Sequence, residues 1–258
     1  MLSGLRSLVR QVSPTLSMPT LSLLLAGCAG LLLSGCANKP VDSAAVHQVH
    51  RIALIVPAEP DHYTVSSNDT FGFDLIPGYS GGANDGLVSV HGNNEINQRF
   101  RAQMTERQVM LGADLTQAVT AQLTAAGFTI LPVTLPPAPS GHLHSDLASL
   151  QGQADAALDI TFLDAGYAFH TWHPYQPAAR IQVQLTDLAS HRVLLARTYT
   201  YGNTRPSKAQ QDKVIPPSTQ FNFRNGTSIY GDPDKAAAGL RTAPPALAKA
   251  LTADLTQP

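Results

Sequence analysis

Between Asn94 and Ala126 the sequence carries a single apolar stripe. Ile96, Phe100, Met104, Leu111, Leu115, Val119 and Leu123 recur at intervals of four and seven residues. That period belongs to an amphipathic helix laying one face on a core. A compact apolar run lies on either side, "RIALIVP" at 51–57 and "FTILPV" at 128–133, and each reads as a buried strand. A strand, a long crossover helix and a second strand make two parallel neighbours under the right-handed rule. Asn93 or Asn94 can cap the helix, Gly127 can end it, and Gly112 can split it into two pieces.

The later elements follow from local pattern. "LPPAPSGHLH" is a loop, and Ser145 can cap a short helix through Gln151. "AALDITFL" at 156–163 is a third strand. "RIQVQLTDL" at 180–188 alternates strictly, so it reads as a half-exposed strand. "ASHR" turns it into "VLLARTYTY", and the two form a hairpin. A final helix starts at Asp232 with Pro233 at its first position and is capped again near Thr242 and Pro244. The expected fold is α/β (α+β): a single domain with a mixed sheet of about five strands, a long crossover helix and a C-terminal helix. Residues 58–93, rich in Gly and Pro, read as an irregular insertion, longer than a compact domain usually carries without purpose.

Upstream of this domain stands an address. Residues 1–20 carry Arg6 and Arg10 and no acid, and residues 21–35 are apolar or small throughout. A basic start, a short apolar middle and a small-residue end are the layout of a secretory signal. The apolar part is too short for a membrane-crossing helix, which takes about 20 residues. "LSGC" at 33–36 resembles the lipobox of bacterial lipoproteins, whose cysteine is acylated and becomes the new N-terminus. "LAGC" at 25–28 resembles it equally well as a string, so Cys28 is the alternative to Cys36. Cleavage before Cys28 would leave "AGLLLSG" beside the anchor and a free Cys36 thiol in an oxidising compartment. Cleavage before Cys36 removes the whole apolar run and leaves no other cysteine. The division expected is therefore a signal peptide at 1–35, an acylated tether at 36–50, and a periplasmic domain at 51–258. By the same resemblance Ala37, which is not an aspartate, implies the periplasmic face of a Gram-negative outer membrane.

The element order carries a second resemblance. "RIALIVP", the long helix, "ADAALDITFLDAGYAF" and "VQLTDLASHRVLLARTYTYG" look like small periplasmic lipoproteins of Gram-negative bacteria. These share the α/β core of the curli-export lipoprotein and of the N-terminal domain of the Tol–Pal β-propeller protein. The resemblance implies an envelope module and transfers no catalytic residue. The curli exporter builds a pore from long amphipathic strands of about 9 to 11 residues. Residues 64–92 offer only Phe71, Phe73 and Leu75 before Pro77.

Composition narrows the function classes. Charged residues make up 14% of the chain, against roughly a quarter in a typical soluble domain. The formal charge is −1, and removing Arg6 and Arg10 with the leader leaves 15 basic against 18 acidic residues. No stretch concentrates Lys and Arg, so the footprint of a nucleic-acid binder is missing. "PGYSGGANDG" lacks the spacing of a phosphate cradle, and no G-x-S-x-G is present for a serine hydrolase. "NGT" at 225–227 matches a glycosylation acceptor, without meaning in a bacterium.

Two clusters are candidate sites. His142 and His144 form H-x-H, and "HTWHP" supplies His170 and His173, weak candidates for zinc with Glu59, Asp159 or Asp164. The bland reading, polar loop histidines, is preferred, and no metal or cofactor is expected. "YAFHTWHPY" gathers Tyr167, Phe169, Trp172 and Tyr175, the residue types that anchor interfaces. The bland reading, a hairpin loop folded back on the core, is preferred here too, with the interface as the alternative. The function expected is non-enzymatic. The chain would be an outer-membrane lipoprotein held by its acyl anchor in lipid, acting as an assembly or interaction module on an envelope protein or peptidoglycan. A metal-dependent or hydrolytic periplasmic enzyme using the His-rich loops is the alternative.

Overall fold

Strand β1 (Arg51–Ile55) takes a parallel neighbour on each side, as its full burial after Arg51 requires. The computed structural model describes residues 41–67, 97–169, 174–202 and 212–256. Before β1 stands a single helical turn, α1 (Ser43–Val46). After it come β2 (Thr64–Ser67), α2 (97–106), α3 (Leu111–Ala125) and β3 (Thr129–Val133). The hairpin region holds β4 (Ala156–Phe169), β5 (Gln176–Asp187) and β6 (Val193–Tyr201). The chain continues through β7 (Lys213–Ile215), α4 (Gly226–Gly231), α5 (Pro233–Leu240) and α6 (Ala243–Thr256).

Among the described residues the mixed sheet has seven strands, ordered β3-β1-β4-β5-β6-β7, with β2 pairing the end of β4, Gly166–Phe169, on the edge that β1 takes at Ala156–Leu158. The expected crossover holds: β1 and β3 run parallel, Arg51 opposite Thr129 and Ile55 opposite Val133. Phe100, Met104, Leu111, Leu115, Val119 and Leu123 are all fully buried, so the apolar stripe is the core face of α2 and α3. Each such side chain contributes roughly 2 kcal/mol of burial. The stripe breaks at 107–110, where Gln108 turns left-handed at φ 52°, and not at Gly112. Gly127, at φ 98°, ends α3 as expected.

The main core lies between the sheet and α2, α3, α5 and α6. A smaller cluster, Ala53, Ile55, Leu150, Ala154, Ala157 and Leu188, closes the other face beneath the segment that follows β3. There the short helical turn is Ala148–Leu150, and Asp146, not Ser145, accepts the Ala148 amide at 2.9 Å. The C-terminal reading holds at its start, where the Asp232 side chain caps α5 and Pro233 is its first residue; a second helix, α6, begins at Ala243, and the Thr242 hydroxyl donates back to Gly239 O.

Three expectations are corrected. The third strand does not stop at Leu163. A bulge between Phe162 and Asp164 resets its register, and β4 continues to Phe169 against Ala168↔Gln176. The insertion is not irregular throughout, because β2 pairs Thr64–Ser67 with Gly166–Phe169; residues 68–96 lie outside those described. The tether does not extend to residue 50. Val46 and Val49 are buried, Val41 packs on the same core, and the Asp42 amide donates to Leu194 O at 3.0 Å.

Candidate functional site

The carboxyl ends of β3 and β1 open onto a cleft of about 400 Å³ beside residues 159–162 in the first half of β4, lined by Pro57, Glu59, Leu135, Pro139, Ile160 and Phe162 among others. Chain segments leaving adjacent parallel strands diverge there, and open α/β sheets hold ligands at that place. The size falls in the range of small-molecule sites.

Glu59 fixes the cleft's floor. Its two carboxylate oxygens accept the Gly112 and Ala113 amides, each at 3.0 Å, at the start of α3. Those amides are among the four a helix leaves unpaired, and the negative charge suits the dipole there. The approach needs glycine: a Cβ on Gly112 would lie 2.8 Å from Pro57 O. Glu59 is therefore a helix cap.

His144 fixes the wall. Its Nδ1 faces Asp159 Oδ2 at 3.0 Å and Oδ1 at 3.2 Å, and its own amide also donates to Asp159 Oδ2. Asp159 is 3% exposed, near the start of β4. The other ring nitrogen, Nε2, faces Pro136 O at 3.1 Å. A general base paired to an aspartate must present its second nitrogen to the reacting group. Here that nitrogen is bound to the loop backbone, so the pair pins the proline-rich loop onto β4.

The remaining candidates separate in space. His142 is exposed, and Asp164, also exposed, accepts the Thr64 hydroxyl at 3.1 Å. Among the described residues no group of three His, Cys, Asp or Glu side chains converges as a metal site. His170, His173 and Trp172 lie outside the described residues, as do Cys28 and Cys36. Tyr167 is not a loop residue. It belongs to β4, is 1% exposed, donates to Ala236 O at 3.3 Å, and packs edge-on against Phe100 and Phe223. Burial pushes its phenol well above the ordinary range. Phe169 and Tyr175, both half-buried, meet with ring centroids 5.1 Å apart where β4 ends and β5 approaches. Tyr175 also exchanges both backbone hydrogen bonds with Phe223, at 2.8 and 2.9 Å.

Sequence reasoning missed a buried ionic cluster. Asp254 on α6 takes Lys213 Nζ on one oxygen and the Tyr199 hydroxyl and Arg197 on the other. The available signal was an acid on the apolar side of a helix, between Leu251 and Leu255.

No family model matches the chain, and no curated protein matches it. Solved structures resemble it distantly. Protein XCC0632 from Xanthomonas campestris is 14% identical over 79% of this chain and 81% of its own, with a TM-score of 0.36. Lipoprotein GNA1162 from Neisseria meningitidis is 14% identical over 61% and 88%, at 0.27. The hypothetical protein CT253 from Chlamydia trachomatis is 8% identical over 80% and 98%, at 0.33. Likeness of that order leaves the function to be read from this chain's own residues.

Proposed function

We propose that this chain is a lipid-anchored envelope protein, attached through Cys36 to the periplasmic face of the outer membrane, whose domain acts as a non-catalytic interaction module. One observation carries the reading. "LSGC" closes a basic-then-apolar leader, and a packed domain begins five residues later at Val41. Removing residues 1–35 would discard only the leader and leave the acylated residue beside a folded unit. Among the described residues no helix is long and apolar enough to cross a membrane, so attachment by acyl chains is the anchor this reading needs. The engagement of both His144 ring nitrogens speaks against the hydrolytic alternative. The cleft at the strand ends is the concave surface offered to a partner, an envelope protein or peptidoglycan.

Metabolic labelling with a clickable fatty acid tests the anchor. Cys36→Ser is expected to abolish label and membrane retention, while Cys28→Ser leaves both unchanged. The reverse pattern would move the anchor to Cys28, and label in neither wild type nor variant would sink the reading.

A further inference from the structure

We infer that the amino-terminal end of the parallel strands rests on the lipid headgroup layer, so that the cleft opens away from the membrane. This rests on the proposed anchor at Cys36. Only residues 37–40 separate Cys36 from Val41. Five Cα–Cα steps span at most about 18 Å. The headgroup layer takes up roughly 5–7 Å of that span.

The tether joins the fold at a defined place. Val41 packs on the core, Asp42 bonds Leu194 O, and the Asp42 carboxylate pairs with Arg192 at 3.0 Å. Arg192 ends the turn between β5 and β6, and Leu194 is the second residue of β6. Val49 leads into Arg51, the first residue of β1, which lies opposite Thr129, the first residue of β3. Ala156, the first residue of β4, lies opposite Ile52. All these starts share one end of the sheet. The cleft begins at Val56 and Thr134, past the last residues of β1 and β3. Twelve residues of β5 extend about 40 Å from this end to Gln176. The tether at full stretch is less than half of that.

The surface chemistry of the tethered end suits headgroups and not acyl chains. His47, Gln48, His50 and His191 are exposed there. Arg51 and Arg192, with side chains 51% and 53% exposed, each pair with an aspartate, so the end is polar and nearly balanced in charge. Of the exposed large apolar residues among those described, Leu163 lies midway along β4, Val214 sits opposite Thr200 near the far end of β6, and Met110 precedes α3, whose other end leads into the start of β3. Contact without insertion is what such a face supports.

Removal of the leader at Cys36 leaves a mature chain whose only cysteine sulfur is blocked by the lipid, so one introduced cysteine can carry one fluorophore. Ala189→Cys labels the exposed β5–β6 turn; Arg224→Cys labels an exposed position beside the Tyr175–Phe223 bridge at the far end. The acylated chain is reconstituted in phosphatidylcholine vesicles carrying a headgroup-level spin quencher. The label at 189 is expected to be quenched several-fold more strongly than the label at 224. His47→Cys, a second exposed position on the tethered end, is expected to follow Ala189→Cys. Equal quenching at both ends, stronger quenching at 224, or none while the chain stays vesicle-bound overturns this orientation alone. A chain without an acyl group at Cys36 overturns the anchor and the orientation together.

Discussion

Asp254 shows how much one buried side chain can decide. Its carboxylate is 7% exposed, and burial alone would raise its pKa. The bonds from Lys213, Tyr199 and Arg197 outweigh burial and hold it below the usual carboxylate range. A folded-state value below the unfolded one stabilises the fold above the unfolded pKa of about 3.9. That contribution is lost as the pH falls through the lower, folded value. Asp254→Asn should lower the unfolding free energy by about 2 kcal/mol at neutral pH, because it leaves Arg197 and Lys213 partly buried without their counter-charge. The gap to wild type should close as the medium is acidified through the carboxylate range. Urea melts at neutral and acid pH check this, and a gap that does not change with pH would contradict it. The acid among Leu247, Leu251 and Leu255 was visible as an anomaly in the sequence. Its partners were not, because Arg197 and Tyr199 reach it only once α6 has docked on β6.

Strand β4 carries the lesson at the scale of the element. Asp164 and Gly166 break the apolar run, so a reading by periodicity ends the strand at Leu163. The bulge absorbs the interruption, and Gly166 then admits β2. Its φ of 153° suits glycine, and a Cβ there would lie 1.8 Å from Thr64 O. Gly166→Ala should therefore push β2 off the sheet, costing about 1–3 kcal/mol as overpacking does. Hydrogen exchange should quicken across 64–67 and 166–169 while β1 and β3 keep their protection. Unchanged exchange at β2 would show that the backbone yields without losing the pair. Elements with their own local signals were legible in the sequence: the alternation of β5, the turn into β6, the Asp232–Pro233 start of α5. The short ones, β2 and β7, were not, since three or four residues have no period and owe their strand form to the neighbour they pair with. Helix α4 had a signal that was misread. Asn225 of the "NGT" string accepts the Ser228 amide at 2.9 Å and forms a capping box.

At the scale of the whole molecule, the question is where the folded unit begins. Residues 37–50 look like a polar tether because His47, Gln48 and His50 dominate the eye and no period emerges. Three valines carry the structural content instead. Val46 and Val49 are 2% and 4% exposed, and Val41 packs beside them on the core that α6 closes. A chain that begins at residue 51 gives up this cover and the Asp42–Arg192 pair, and it leaves the Leu194 carbonyl without its Asp42 amide. Burying two valines contributes roughly 3–4 kcal/mol. The ordering of the segment offsets part of that. A net loss of about 2 kcal/mol, or about 5 °C in Tm for a domain of this size, is the expected difference between chains starting at 51 and at 38. Val46→Ser with Val49→Ser in the longer chain should reproduce most of the drop, since it removes the apolar cover while keeping the length. Thermal melts of the three proteins decide the matter. Coincident transitions would mean that the segment lies on the surface without holding it, and the short reach on which the membrane orientation depends would then lengthen by ten residues.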